Sequence, residues 1–137
     1  MLFEYTVPPN LPAFNMGFPL VEITLYYAGH EIIVPALVDS GSDVSILSYE
    51  VGVALGLVWE EQTVPVSLGG ILANVPAYAV LVRGEIAGLP EKALVCAWAQ
   101  ITSSKSRVIL GQMNFFQHYK VTFEGYNNTF DISAKPL

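Results

Sequence analysis

Cysteine, histidine and basic residues are the shortages of this 137-residue chain: one Cys, two His, and no Lys or Arg ahead of Arg83. The single cysteine, Cys96, excludes an internal disulfide, and its place in the apolar run Ala93 to Ala99 reads as a buried core strand. His30 and His118 stand far apart without neighbours at metal-ligand spacing, so they read as a surface turn and a helix end, and no metal site is expected. Zinc motifs and phosphate-binding glycine loops are also missing, and no cofactor is expected. Charged residues make up only 13% of the chain, with 12 acids against 6 bases and a net charge of −6. Eight of those acids precede the first base. Nucleic acid and anionic membrane are therefore poor partners.

A membrane span is equally unexpected. The longest uncharged stretch, Gln62 to Val82, contains Pro65, Pro76 and the pair Gly69-Gly70, and reads as a hairpin. The opening MLFEYTVPPNLP has an acid, three prolines and no basic region, unlike a signal peptide, which makes the cytoplasm the expected location.

What the chain has in abundance is apolar residues, 53% of the total, more than an ordinary domain of this size. A buried subunit interface would account for the excess. The length suits one domain over residues 1–137, with an irregular arm at 1–19 marked by Pro8, Pro9 and Pro12. Strand composition appears at Leu20 to Tyr27 and Glu31 to Val38 around an Ala28-Gly29-His30 turn. Further strands are expected at Thr63 to Leu68, Ile71 to Val82, Lys92 to Trp98, Lys120 to Glu124 and Thr129 to Ser133. Asn127-Asn128-Thr129 reads as a hairpin turn. Helices are expected at Ser48 to Leu57, with Ser48 as N-cap and Gly56 near its end, and at Gln112 to His118. Trp59, Trp98 and the pair Phe115-Phe116 read as core. Short strands with one or two short helices predict a mostly β, closed barrel.

Chemistry concentrates at Ala36 to Asp43, ALVDSGSD. An apolar strand delivers Asp39 to its end, where the carboxylate is held rigid and partly desolvated, a setting that suits acid/base work. Gly41 can take positive φ and turn the chain beneath the carboxylate, while Ser40 brings a hydroxyl beside it. A plain strand-to-turn exit uses the same residue types. The second segment, Val108 to Phe123, reads VILGQMNFFQHYKVTF: an apolar triplet closing on Leu110-Gly111-Gln112, a bulky stretch, then an alternating strand.

Together the two segments resemble the retropepsin-like aspartic peptidases, where an Asp-Thr/Ser-Gly loop follows a strand and a later apolar-apolar-Gly opens the helix packed behind it. The likeness runs from about Leu20 to Ile132 and is strongest to the stand-alone single-domain bacterial type. It implies an acid-protease barrel and an aspartic endopeptidase. With one Asp-Ser-Gly and no internal repeat, the second carboxylate must come from another copy, so a homodimer is implied, with two Asp39 groups sharing a proton around one water. One would act as base while its protonated twin bonds the scissile carbonyl.

The resemblance extends residue by residue. Ser40 is expected to bond the opposing loop and lock the dimer. The Ser42 hydroxyl would bond the Asp39 carboxylate, or simply be a solvated turn residue. Asp43 matches an acid that retroviral relatives pair with an arginine where this chain has Gln112, a weaker contact, or else it caps its own loop. Leu68-Gly69-Gly70-Ile71 looks like the tip of a mobile flap, with a static hairpin as the alternative. Leu37, Ile109 and Ile71 would line pockets for large apolar side chains of an extended peptide, with Arg107 at a pocket wall. Two other readings stand beside the enzyme: a binding or dimerisation module that keeps the fold without the activity, and a small-ligand β-barrel.

Overall fold

The computed structural model describes residues 1–7, 17–101 and 108–135. Pro8, Pro9, Pro12 and Arg107 lie outside them. In chain order the strands are β1 (Leu2–Glu4), β2 (Leu20–Tyr27), β3 (His30–Val38), β4 (Ser45–Leu47), β5 (Ala77–Glu85), β6 (Lys92–Ala99), β7 (Val108–Leu110), β8 (Tyr119–Glu124) and β9 (Thr129–Ala134). Two short helices interrupt them, α1 (Tyr49–Ala54) and α2 (Phe115–His118). Six strands close a barrel in the order β2-β3-β7-β4-β6-β5, and β1-β9-β8 form a separate three-stranded sheet. The mostly β, closed-barrel expectation is met.

Alternation explains the barrel wall. In β2, Val21, Ile23 and Leu25 are buried while Glu22 is exposed, and in β3 Val34, Ala36 and Val38 point inward between exposed Ile33 and Pro35. One register slip would turn each set to the other face. The β2–β3 turn is tight because Ala28 and Gly29 both take positive φ, 47° and 84°.

Trp98, fully buried, anchors the interior: its ring stacks on Tyr49 and meets Trp59 edge-on, and its Nε1 donates to the Tyr49 carbonyl at 3.1 Å. Helix α1 comes close enough that a Cβ on Gly52 would lie 2.2 Å from that indole. Cys96 is buried on β6, and burial pushes its thiol up to about 12. It should stay inert to an aromatic disulfide reagent in the native protein at pH 8 and react only as the chain unfolds. Rapid native labelling would contradict this placement.

Several elements differ from expectation. The amino-terminal segment is not irregular throughout: Leu2–Glu4 pairs with β9, and Thr6 bridges Phe18. Short β4 was missed because Ser45-Ile46-Leu47 carries no alternation; all three residues are buried. Helix α1 is shorter than Ser48 to Leu57, since Leu55 is already its C-cap and Gly56 turns at φ 90°. Ser48 precedes the helix, but its hydroxyl makes no capping bond. Helix α2 begins at Phe115 rather than Gln112, because Gln112 and Met113 use their N–H groups on the neighbouring loop, and Asn114 with Gln117 forms a capping box.

The largest correction concerns residues 62–76. No strand occupies Thr63 to Leu68 or Ile71 to Pro76; instead Pro65 makes an isolated bridge to Tyr78, Gly70–Leu72 is a 3₁₀ turn, and strand structure begins at Ala77. Proline at 65 withholds an N–H from the ladder, and Pro76 does so just before β5. The expected long hairpin is thus a short bridge carrying an irregular tip.

Candidate active site

Asp39 leaves the end of β3, and Leu110-Gly111 leaves the end of β7 beside it. These two strands run parallel, with Val38 opposite Leu110. Backbone bonds then zip the two exits together: Asp39 N–H to the Leu110 carbonyl at 2.9 Å, Gln112 N–H to Ser42 at 2.8 Å, and Met113 N–H to Asp43 at 2.9 Å. The Gln112 amide donates to the Ser40 carbonyl at 2.6 Å. Within the loop, Gly41 N–H donates to Asp39 Oδ1 at 2.9 Å and Ser42 N–H to the Asp39 carbonyl at 3.2 Å. Asp39 is half-buried and fixed in place by its own loop; among the described residues no cation pairs with it.

Glycine is required at Gly111, where an added Cβ would lie 2.3 Å from the Val44 carbonyl oxygen and 2.7 Å from that of Ser42. Gly41 serves differently from expectation. It does not take positive φ; its hydrogen leaves space where a Cβ would press 3.2 Å from Asp39 Oδ1.

A residue that sequence reasoning passed over completes the zip. Fully buried Ser45 accepts the Gly111 N–H on its Oγ at 3.0 Å. The signal was there, a serine between Val44 and Ile46 in an apolar run, yet only the fold shows what it meets. Ser45→Ala would leave that N–H buried without an acceptor, costing about 1–3 kcal/mol by denaturant titration, with Ser45→Thr milder if its methyl is accommodated.

The Asp39 loop opens onto a cleft of about 370 Å³. Asp39, Ser42 and Asp43 line one side, Val44, Ile46 and Ile109 form an apolar flank, and Ser67, Leu68, Gly69, Gly70 and Leu72 close over it. The 67–72 segment is therefore brought to the carboxylate. Its tip is loosely framed: neither Gly69 nor Gly70 has a neighbour within 4 Å of an added Cβ, and only Gly70 takes positive φ, 63°. Ile71 is completely exposed and points away from the cleft lining, and Leu37 does not line it either. The Ser42 hydroxyl donates to the Val44 carbonyl at 2.7 Å, so it braces the loop and is not turned to Asp39 as expected. Gln112 likewise spends its amide on Ser40 within the same chain and not on Asp43. Ser40 and Asp43 are exposed on the loop. Among the described residues no cluster of metal-binding side chains occurs, and no helix is long and apolar enough to cross a membrane.

A carboxylate at a strand end, zipped to an apolar-apolar-Gly exit and roofed by a glycine tip, is also the arrangement to which solved structures can be compared. A retropepsin-like aspartic protease from Rickettsia conorii superposes with TM-score 0.61 over 98% of this chain and 94% of its own, at 13% identity. The fold is that of the retropepsin-like aspartic proteases. Two further structures agree. The retroviral protease-like domain of Ddi1 from Leishmania major matches with TM-score 0.55 at 17% identity, over 88% of this chain and 90% of that one. EIAV protease, complexed with the inhibitor HBY-793, matches with TM-score 0.51 at 20% identity, over 77% and 88%. No family model and no curated protein matches the sequence. In this retropepsin-like frame the carbonyl and amide groups that hold Asp39 come from backbone.

Proposed function

We propose that the chain is an aspartic endopeptidase that works as a homodimer, cutting extended peptides by a water activated between Asp39 of one copy and Asp39 of the other. The observation that carries this reading is the rigid setting of Asp39: a half-buried carboxylate that accepts the Gly41 N–H, on a residue whose own N–H is tied to the Leu110 carbonyl, at the edge of an apolar cleft closed by Leu68, Gly69 and Gly70. One carboxylate per chain is half of the required pair, and a twofold axis brings identical groups together. Two such groups would hold one proton between them, so one is base and the other acid at the same moment. The apolar flank of Val44, Ile46 and Ile109 suits large apolar side chains beside the cut, and the irregular 67–72 tip would close over the peptide and exclude water. Ser40, exposed on the loop, would meet the partner loop in such a dimer.

A second reading, a retropepsin-fold binding module without hydrolysis, draws on Gln112. Its amide is committed to Ser40 of the same chain, so it does not brace Asp43 in the way the family's arginine does. The two readings separate in one experiment: incubation with a diverse peptide mixture from acidic to neutral pH over a wide range of protein concentration, read by mass spectrometry. Cleavage whose rate per chain rises with concentration, and which a statine-type inhibitor stops, supports the dimeric enzyme. No cleavage at any pH or concentration overturns the enzyme reading and favours the binding module.

A further inference from the structure

The barrel wall has a second opening, a cleft of about 560 Å³ that shares no lining residue with the Asp39 cleft. Tyr26, Tyr27, His30, Glu31, Leu81 and Ala93 are among its walls. It exists because the β2–β5 pairing stops early. Strand β2 pairs with β5 from Thr24–Glu85 to Tyr26–Arg83 and then turns away at Ala28 and Gly29.

On the same edge of β5, the Ala77 carbonyl accepts from Val66 N–H and the Ala79 N–H donates to Val64. Leu81 lies between these two partners. It sits opposite Val95 on β6, and Val95 turns its N–H away from β5 to Asn114 Oδ1. In an antiparallel ladder that phase puts the Leu81 N–H and carbonyl on the cleft side, where no described residue pairs with them. Its side chain is 61% exposed. The cleft thus offers a donor and an acceptor on a strand edge that are unpaired among the described residues, an exposed aliphatic side chain and the ring of Tyr26.

The surrounding charge is acidic. Tyr26 donates its phenol hydrogen to Glu85 Oε1 at 2.9 Å, and its pKa is raised by that bond first, then by desolvation and by the charges of Glu85, Glu31 and Glu91. Arg83 is the local cation and is paired with Glu91 at 2.7 Å. His30 stands at the rim. Glu31 lines the cleft and Glu85 stands beside Tyr26, while Glu91 is taken up by Arg83, so the charge left unpaired around the described lining is negative.

We infer that this cleft is a docking site, separate from the Asp39 cleft, for an extended polypeptide segment carrying lysine or arginine. The segment adds one residue to the β5 edge at Leu81, lays an aliphatic stem against Leu81 and the Tyr26 ring, and directs its cation to Glu31 and Glu85. The site stands whether or not Asp39 hydrolyses anything.

The test uses the full chain carrying Asp39→Asn, so that the probe survives, and a fluorescein-labelled decapeptide alternating valine and arginine. Anisotropy should show saturable binding that a further Ser67→Trp substitution, which crowds the Asp39 cleft, does not weaken. Glu31→Lys, an exposed substitution, should weaken it by about tenfold or more, and an otherwise identical valine–glutamate peptide should not bind. Scanning N-methyl groups along the arginine peptide needs no further protein variant; at one position the methyl should abolish binding by removing the N–H given to Leu81. The absence of saturable binding overturns the inference, as does weakening by Ser67→Trp, indifference to Glu31→Lys or to every N-methyl position, or equal binding of the glutamate peptide.

Discussion

Asp39→Asn should abolish peptide cleavage, by about 10³-fold or more, while leaving the fold intact. The substitution keeps an oxygen where Oδ1 accepts the Gly41 N–H, and it leaves the backbone bond from Asp39 to Leu110 untouched. What it removes is the ability to hold or release a proton. In a dimer every pair then consists of two neutral amides, and neither can take a proton from water. The side chain is half-buried, so no apolar packing is lost, and melting temperature should move by only a few degrees. The measurement is a peptide-cleavage rate beside a thermal melt on the same preparation. Retained cleavage with an unchanged melt would remove Asp39 from the chemistry; a collapsed melt would make the lost activity uninformative, and Asp39→Glu would then be compared, which keeps the acid and displaces it.

Gly111→Ala should destabilise the protein by about 3 kcal/mol or more, and take the cleft with it. An alanine Cβ there would meet the Val44 carbonyl oxygen at 2.3 Å and the Val44 carbonyl carbon at 2.7 Å, both backbone atoms of the loop between Asp39 and β4. Backbone cannot swing aside like the end of a side chain. Relief requires the two exits to separate, which breaks the Gln112–Ser42 and Met113–Asp43 bonds and the Ser45 contact. The melting temperature should fall on the order of 10 °C. Gly69→Ala is the matched comparison: Gly69 has open space around it and φ of −97°, so its melt should hardly change. Equal melts for the two variants would show that the close approach at Gly111 is not what holds the loops together.

The sequence by itself determined the elements with alternating or continuous apolar composition bounded by turn residues, and the place of Asp39 among them. Leu20 to Tyr27 is a strand with the expected ends, Lys92 to Ala99 extends its expected span by one residue, and Asp39 stands at the end of an apolar strand as ALVDSGSD implies. Alternation is a local property, because each inward residue is buried by the same wall whatever closes the barrel.

Tertiary structure decided the rest, wherever a residue's role depends on what comes from far along the chain. Ser45 matters because Gly111, sixty-six residues later, brings it an N–H. Ser42 turns to Val44 and not to Asp39 because the zip with Gln112 sets the loop's curvature. Strands β4 and β7, three residues each, exist through their neighbours on both sides, since segments so short have too few alternating positions to announce themselves. The 62–76 segment had hairpin composition but received only one bridge, because Pro65 and Pro76 deny the ladder its donors. The opening at Leu81 arises from where β2 stops pairing, a length that no local pattern encodes.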